Sequence, residues 1–297
     1  MVLFNEKSGN MGRFYRFRSR FLLPRRLLAR DSLYVYFKRT VFLIGLVFLI
    51  APPSFAQEVF VAAASNLNFA IREIIEEFEA GTPHQVRLSL ASSGTLFNQI
   101  QNGAPFDVYL SADSAYTNQL ELRGLVEPES GFLYALGRIV VWVRTGSPVD
   151  VERLGIESLL EGVGKVAIAN PRHAPYGRAA VAAMEHYGVW NSVSDRIVMG
   201  ENVSQTAQFV QSGAARIGII PLSLALSGPM KDAGRYWEVP PESYPAIEQH
   251  GVLLLRARGS GRLEAARAFV VWLGGARGRS VLRRYGFAMA PEPGGVR

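Results

Sequence analysis

The sequence contains no cysteine, which excludes disulfide bonds and a membrane anchor attached through a lipidated cysteine. It has four histidines, and none of them shows the spacing that is typical of a metal site. A G-x-S-x-G segment, which presents the nucleophile in many serine hydrolases, is also missing. The sequence therefore offers little support for a metalloenzyme or for a hydrolase of that kind.

Excess basic charge is absent beyond the N-terminal segment. The chain has 32 Lys and Arg against 25 Asp and Glu, a net charge of +7. Residues 1–56 hold ten of the basic and two of the acidic residues, which leaves 22 basic and 23 acidic residues in 57–297. No basic stripe with interleaved aromatic residues occurs in that nearly neutral part. We therefore expect no nucleic-acid partner.

The N-terminal segment has the features of an export signal. Lys38 and Arg39 precede an apolar run at 41–51, and small residues follow at Ser54 and Ala56. This order is typical of a signal peptide, and the run is shorter than the roughly 20 residues that a membrane-spanning helix needs. We expect residues 1–56 to be an N-terminal extension and signal peptide, cleaved after Ala56, and the mature protein to be periplasmic. An uncleaved membrane anchor is the alternative.

The rest of the chain alternates between strand and helix patterns. Residues 59–64 are a continuous apolar run, which is typical of a strand buried on both faces, and a helical pattern follows from Leu67 to Phe78. Further strand patterns lie at 86–90, 106–110, 139–143, 165–169, 197–199, 217–220 and 252–255. The alternation predicts an α/β fold with mostly parallel sheets flanked by helices, and it places a ligand at the carboxyl ends of the strands.

Two lobes are expected from this pattern. We assign residues 57–137 and 250–297 to lobe 1 and residues 138–249 to lobe 2. The chain would cross between the lobes near 134–138 and return near 245–251. A ligand would then lie in the cleft between them.

Four predicted strand-to-helix junctions carry small polar residues or glycine, at 65–66, 92–95, 175–177 and 201–204. The first turn of a helix leaves backbone N–H groups without partners, and its dipole places partial positive charge there. Several such ends facing one cleft would bind an anion without any lysine or arginine. A polar residue at any single helix start is more often a plain N-cap, so the exact sequence and spacing of these segments have to decide.

The amino-acid sequences of these segments resemble one protein family. The segments AAASNL (62–67), ASSGTL (91–96), GAPFDVYLSAD (103–113), NPRHAPYG (170–177) and RYGF (284–287) are similar in order and spacing to the periplasmic molybdate-binding proteins. The resemblance extends over 58–290. It implies a two-lobed periplasmic binding protein fold of the type II-like kind, with a tetrahedral oxyanion in the interlobe cleft. It further implies a monomer that captures molybdate or tungstate for an inner-membrane ABC permease and needs no cofactor.

The resemblance also implies the ligand-binding residues. Ser65 and Ser93 would donate hydroxyl and backbone N–H bonds from lobe 1, and Asn66 would add its own N–H. Tyr176 and Val203 would donate backbone N–H groups from lobe 2. Molybdenum would be held only as its oxyanion through these residues, without a direct metal ligand.

One position departs from the family pattern. Some members have a tyrosine hydroxyl after the strand that matches 217–220, where this chain has Pro221, a residue with neither a hydroxyl nor a backbone N–H. Either Asn66 replaces that contact or binding is weaker.

Charged residues near the motifs are interpreted as supporting groups. Glu201 is expected to be an acid in the first turn of a helix rather than a hydrogen-bond acceptor for the ligand. Asp107 and Asp113 are expected to be turn or supporting residues rather than an acid–base pair. Arg172 and Arg178 are candidates for steering anions towards the cleft.

Other functions stay open at this point. A binding protein for sulfate, phosphate or another oxyanion would share the fold, although a site of donors alone disfavours phosphate, which carries a proton at neutral pH. A serine hydrolase using Ser93 or Ser111 is a remote alternative. A ligand-sensing domain of a regulator is disfavoured by the export signal. We expect a binding protein and not an enzyme.

Overall fold

The computed structural model describes residues 56–161 and 164–289. The predicted N-terminal extension and signal peptide lie outside the described residues, apart from Ala56. The strands are β1 (Glu58–Ala64), β2 (Gln85–Ala91), β3 (Val108–Ser111), β4 (Phe132–Gly137), β5 (Ile139–Arg144), β6 (Val166–Ala169), β7 (Ile197–Gly200), β8 (Ile217–Pro221), β9 (Gly234–Glu238) and β10 (Ile247–Leu253).

Helices connect most of these strands. The α-helices are α1 (Asn68–Gly81), α2 (Ser93–Gln101), α3 (Ser114–Leu122), α4 (Val151–Leu154), α5 (Pro175–His186), α6 (Trp190–Val193), α7 (Val203–Ser212), α8 (Leu222–Ala225), α9 (Gly228–Lys231), α10 (Leu255–Gly259), α11 (Leu263–Gly274) and α12 (Ala276–Arg284). Short 3-10 helices span Ser65–Leu67, Gly155–Leu159, Ser194–Arg196 and Pro241–Ser243. Among the described helices, none is long and apolar enough to cross a membrane.

The strands form two five-stranded sheets. The first has the order β2-β1-β3-β10-β4 and the second the order β7-β6-β8-β5-β9. We call the parts of the molecule built on them the first and the second lobe. The chain passes from the first sheet to the second at Arg138, between β4 and β5, and it returns between β9 and β10. The proposed lobe boundary at residues 249 and 250 therefore lies inside β10.

The predicted two-lobed α/β fold with mostly parallel sheets flanked by helices is confirmed, and in each sheet one strand runs against the other four. In the first sheet β1, β2 and β3 are parallel, whereas β10 is antiparallel to both β3 and β4. The second sheet repeats this arrangement, with β5 antiparallel to both β8 and β9. The reason lies in the path of the chain. It enters each lobe at the cleft, so β5 and β10 start where the parallel strands end.

Apolar side chains fill both lobes. In the first lobe β1 contributes Val59 and Val61, and α1 turns Ile71, Ile74 and Phe78 towards them, all without solvent exposure. Their spacing along α1 is that of one helical face. In the second lobe all of Ile139, Val140, Val141, Trp142 and Val143 on β5 are fully buried. Both lobes thus have their own core, and the sheet ends that face the cleft are held on rigid supports.

A buried ion pair lies at the end of the first sheet that is farther from the cleft. Asp107, which precedes β3, is fully buried, and Arg262 donates to it from Nε at 2.8 Å and from Nη2 at 3.1 Å. The carboxylate also accepts the backbone N–H of Phe60 at 2.9 Å. Asp107 is therefore a structural residue that ties β1, β3 and the start of α11 together.

Removing one partner of this pair leaves a buried charge without compensation. We expect Arg262→Ala to lower the free energy of unfolding by about 3–5 kcal/mol, measured by urea denaturation. Arg87→Ala is the matched control, because Arg87 pairs with Glu58 at the surface, where its side chain is 71% exposed. The control should cost no more than about 1 kcal/mol. Equal losses in both variants would contradict the structural role of Asp107.

Candidate functional site

Ser65 and Asn66 lie in the turn that directly follows β1. This turn is a short 3-10 helix that leads into α1, and both residues are buried. Asn68 donates its N–H to the Ser65 carbonyl, which holds the turn closed. The Ser65 hydroxyl oxygen and the Asn66 Oδ1 have no hydrogen-bond partner among the described residues. Buried polar groups are nearly always paired, so these two atoms mark the turn as a place where a polar ligand belongs.

Ser93 is the first residue of α2. Ser92 caps this helix, and its side chain accepts the backbone N–H of Thr95. The Ser93 hydroxyl oxygen accepts the backbone N–H of Ala112 at 2.9 Å, and the Tyr109 hydroxyl donates to the Ser93 carbonyl at 2.8 Å. Burial raises the pKa of Tyr109, so its phenol stays a donor. Because the Ser93 oxygen already accepts one bond, its own proton is left to donate.

Tyr176 stands in the first turn of α5. The helix begins at Pro175, which has no N–H, and the N-cap residue Ala174 has no side-chain oxygen to cap it. The backbone N–H of Tyr176 is therefore one of the first-turn donors that no helical carbonyl reaches. It is held at the carboxyl end of β6, where the parallel strands of the second sheet end.

Val203 is the first residue of α7, and the capping pattern leaves its N–H as the donor. The Asn202 side chain accepts the N–H groups of Ser204 at 3.0 Å and Gln205 at 3.2 Å, and the Asn202 carbonyl accepts that of Thr206. Of the first four N–H groups of this helix, the Val203 group has no partner among these contacts. The capping contacts therefore leave the backbone N–H of Val203 as the donor available to a ligand.

The start of α7 contacts the turn after β1. Ser204 donates its hydroxyl proton to the Ser65 carbonyl at 3.3 Å, and Ser223 on α8 donates to the Asn66 carbonyl at 2.7 Å. Because Ser204 directly follows Val203, the first of these bonds brings Val203 next to Ser65. Both bonds join the first lobe to the second.

The start of α5 is brought to Ser93 in a similar way. The backbone N–H of Gly94 donates to the His173 carbonyl at 2.9 Å, and His173 Nδ1 lies 2.9 Å from the Ser92 hydroxyl. A Cβ atom at Gly94 would lie 2.7 Å from the Tyr116 hydroxyl and 2.8 Å from His173 Cβ. Only glycine permits this approach. All five residues singled out from the sequence therefore lie along one contact zone between the lobes.

The charged residues nearby are either paired or exposed to solvent. Arg178 pairs with Asp113 across the lobes, and its guanidinium lies 5.7 Å from the centre of the Tyr116 ring. Arg172 is exposed. The Glu201 side chain is 77% exposed and faces His173 Nε2 at 3.8 Å. The expectation that Glu201 is an acid in the first turn of a helix is wrong, because α7 begins at Val203 and Glu201 precedes its N-cap residue Asn202. Within residues 56–161 and 164–289, no group of three or more His, Asp or Glu residues is placed to hold a metal ion.

Pro221 ends β8, and the neighbouring contacts bear on what Asn66 can do. Asn66 Nδ2 donates to the Tyr176 hydroxyl at 3.2 Å and to Gln249 Oε1 at 2.8 Å. Both hydrogens of the Asn66 amide are thus already used within the protein. The atom without a partner is the acceptor Oδ1, so the side-chain pocket is not made of donors alone.

Sequence reasoning missed three residues of this zone: Ser204, Ser223 and Gln249. Ser204 lay inside one of the four junctions but was not assigned a contact. Gln249 carried a weak signal, as a polar residue within an otherwise buried strand of the pattern Ile247–Leu253. Ser223 had no signal, since its contact with Asn66 joins residues 157 positions apart.

Comparison with known proteins identifies the family. The model for bacterial extracellular solute-binding proteins matches residues 59–288. The chain belongs to this family. It is 34% identical over 241 residues to the molybdate-binding protein ModA of Azotobacter vinelandii, covering 81% of this chain and 94% of the relative. It is also 34% identical over 244 residues to ModA of Rhodobacter capsulatus, covering 82% and 93%.

A solved structure of the family has the same fold. The periplasmic molybdate-binding protein of Azotobacter vinelandii superimposes with a TM-score of 0.72 at 30% identity, over 78% of this chain and all of that protein. The family also places the protein outside the cytoplasm, as an extracellular or periplasmic protein.

The unpartnered hydroxyl of Ser65 leads to a prediction about stability. We expect Ser65→Ala to leave the free energy of unfolding of the ligand-free protein unchanged or to raise it, because no bond within the protein is lost. Ser111→Ala is the matched control. Ser111 is equally buried at the end of neighbouring β3, but its hydroxyl donates to the Asp113 carbonyl and accepts the Asp113 N–H. The control should lose about 1–3 kcal/mol in urea denaturation. An equal loss for Ser65→Ala would show that its hydroxyl has a protein partner.

Proposed function

We propose that this protein binds molybdate or tungstate between its two lobes and delivers it to an inner-membrane ABC permease. The observation that carries the proposal is the meeting of uncharged donors from both lobes. They are the hydroxyl groups of Ser65 and Ser93 and the backbone N–H groups of Tyr176 and Val203. The names of the two ModA relatives, each 34% identical to this chain, support the choice of ligand.

The chemistry of these donors suits a small dianion. Each hydrogen bond to a charged group contributes about 1.5–3 kcal/mol net, and the starts of α5 and α7 add the positive ends of two helix dipoles. Ser65, Ser93, Tyr176 and Val203 are all at most 5% exposed. Competition from water is therefore small once the lobes are closed. A site built in this way needs no lysine or arginine.

Further parts of the proposal concern the way in which the protein works. We propose that it carries out no chemical reaction on the anion, has no cofactor, acts as a monomer in the periplasm and has no nucleic-acid partner. Molybdenum would be bound only within its oxyanion, through Ser65, Asn66, Ser93, Tyr176 and Val203. The anion would be captured by closure of the lobes about the hinge.

A second candidate ligand follows from the Asn66 side chain. Its Oδ1 is a buried acceptor without a partner among the described residues. An oxyanion that carries a proton, such as hydrogen phosphate, could donate to this atom. Phosphate is therefore the alternative with a specific structural argument, whereas sulfate shares only the requirement for donors.

Calorimetric titration of the purified protein with molybdate, tungstate, sulfate and phosphate tests the proposal. We expect molybdate and tungstate to bind at least a hundredfold more tightly than sulfate or phosphate, a difference of about 2.7 kcal/mol. Tighter binding of phosphate would assign Asn66 Oδ1 as a ligand acceptor and overturn the choice of molybdate. Failure of all four anions to bind would overturn the oxyanion function.

Ser93→Ala tests one donor of the site. The hydroxyl proton of Ser93 is free to donate, so its loss should weaken molybdate binding at least tenfold, or about 1.4 kcal/mol. Ser111→Ala is the control, because the Ser111 hydroxyl donates to the Asp113 carbonyl and accepts the Asp113 N–H, and the affinity of this variant should match that of the unmodified protein. An unchanged affinity for Ser93→Ala would remove this hydroxyl from the site.

A further inference from the structure

Gln249 is a buried polar residue to which the proposed function assigns no role. It is fully buried on β10, the strand on which the chain returns to the first lobe. The pairing of β10 with β4 shifts between Gln249 and His250, which is a β-bulge or irregularity. Bulges re-aim a side chain away from regular alternation. Since burying an amide is costly unless it is hydrogen-bonded, its contacts show what the residue does.

The amide of Gln249 has a defined orientation. Its Nε2 donates to the Ile247 carbonyl at 3.3 Å, and its Oε1 accepts from Asn66 Nδ2 at 2.8 Å. A carbonyl oxygen can only accept, so the opposite orientation of Gln249 would place two oxygens against each other. Gln249 therefore obliges Asn66 to turn its NH2 group towards β10. The Asn66 Oδ1 is left on the other side of the amide.

The Tyr176 hydroxyl joins these two amides from the second lobe. It accepts from Asn66 Nδ2 at 3.2 Å and from Gln249 Nε2 at 3.4 Å. Burial raises the pKa of Tyr176, so the phenol remains neutral. Tyr176 is also the residue whose backbone N–H we assign to the oxyanion. Its side chain and its backbone thus contact the hinge strand and the binding site from the same position in α5.

Gly137 makes room for this hydroxyl. It is the last residue of β4, one residue before the crossing at Arg138. A Cβ atom there would lie 2.2 Å from the Tyr176 hydroxyl oxygen, 2.9 Å from Tyr176 Cζ and 3.0 Å from Gln249 Nε2. These distances are shorter than van der Waals contact, so only glycine admits the tyrosine when the lobes are closed.

We propose that Gln249 is a positioning residue for the oxyanion site: it orients the Asn66 amide and, with the Tyr176 hydroxyl in the space left by Gly137, forms a latch that is complete only in the closed protein. Gln249 and Asn66 belong to the first lobe and stay together when the lobes separate, whereas Tyr176 moves with the second lobe. The latch therefore links the hinge to the ligand. It rests on the proposed function, since the site that it positions is the oxyanion site.

Two substitutions of Gln249 separate positioning from packing. Gln249→Met keeps the length of the side chain but removes both polar atoms, and we expect molybdate affinity to fall at least tenfold. The control is Thr117→Val, which removes a buried hydroxyl that lies 2.8 Å from His250 Nδ1 on the same strand. The control should keep its affinity even where its thermal stability falls as much as that of Gln249→Met.

In Gln249→Glu we expect molybdate affinity to depend on pH. Burial raises the pKa of a glutamic acid above its ordinary value of about 4.3. Below that pKa the neutral carboxyl group can accept from Asn66 and donate to Ile247, as glutamine does. Above it the carboxylate cannot donate and repels the dianion. Affinity should therefore approach that of the unmodified protein near about pH 5 and fall at least tenfold by about pH 8. A purely structural role for Gln249 predicts no such profile.

Gly137→Ala tests the closed state, and Tyr176→Phe provides its suppressor. The alanine methyl group overlaps the Tyr176 hydroxyl only when the lobes are closed, so molybdate affinity should fall at least tenfold through faster dissociation. Removing the hydroxyl relieves the shortest overlap. The double variant Gly137→Ala with Tyr176→Phe should thus bind more tightly than Gly137→Ala alone, although each single change weakens binding. Additive losses in the double variant would contradict the latch.

The experiments distinguish failure of the latch from failure of the proposed molybdate function. If the unmodified protein binds molybdate and Gln249→Met binds it within about twofold, the latch is overturned and the proposed function stands. If no anion binds, the latch is judged in the ligand-free protein by NMR. The side-chain amide signals of Asn66 should shift in Gln249→Met and stay in place in Thr117→Val. Unshifted Asn66 signals in Gln249→Met would overturn the latch in that case as well.

Discussion

The proposed binding site depends on backbone N–H groups that a helix cannot satisfy by itself. Such groups occur at every helix start, but they act together only if several helices begin at the same gap. The path of the chain ensures this here. Three parallel strands in each lobe end at the cleft, and α2, α5 and α7 begin there. The antiparallel strands β5 and β10 are a consequence of the same path, because the chain enters each lobe from the cleft.

Closure has to be favourable with the ligand and reversible without it. The contacts between the lobes suit this requirement, because most are single neutral hydrogen bonds, as between Ser204 and the Ser65 carbonyl or Gly94 and the His173 carbonyl. Each is worth about 0.5–1.5 kcal/mol net. The ion pair of Arg178 with Asp113, which also joins the lobes, is partly exposed and is screened by solvent. The buried ion pair of Asp107 lies within the first lobe instead, where a permanent connection is needed.

The sequence predicted the parts of the fold that have a local signature. Strands β1, β5, β6 and β8 are apolar runs that are buried on both faces, and each was predicted within one or two residues. Strand β4 was missed although residues 132–136 are a continuous apolar run, because the crossing between the lobes was placed at 134–138. Strand β9 was missed because its five residues include Arg235 and Glu238 and show no apolar run. Strand β10 begins at Ile247, and its first half has the polar residues Glu248, Gln249 and His250, which conceal a strand of the first sheet. The reversed direction of β5 and β10 within mostly parallel sheets was not predicted, since pairing is set by the path of the chain and not by any segment.

The five residues assigned to the proposed site were selected because helix-start chemistry and the motifs shared with the family both mark them, and the structure places them in one contact zone. Gln249 could not, since its role comes from contacts with Asn66 and Tyr176 that span 183 and 73 residues. A chain of single acceptors and donors connects them. The Ile247 carbonyl fixes Gln249, Gln249 fixes Asn66, and the Asn66 amide then has its acceptor free. The backbone carbonyl of Ile247 on β10 thus determines that Asn66 presents an acceptor to the proposed site. A shift of this carbonyl would alter the surroundings of the ligand without the replacement of any residue of the site.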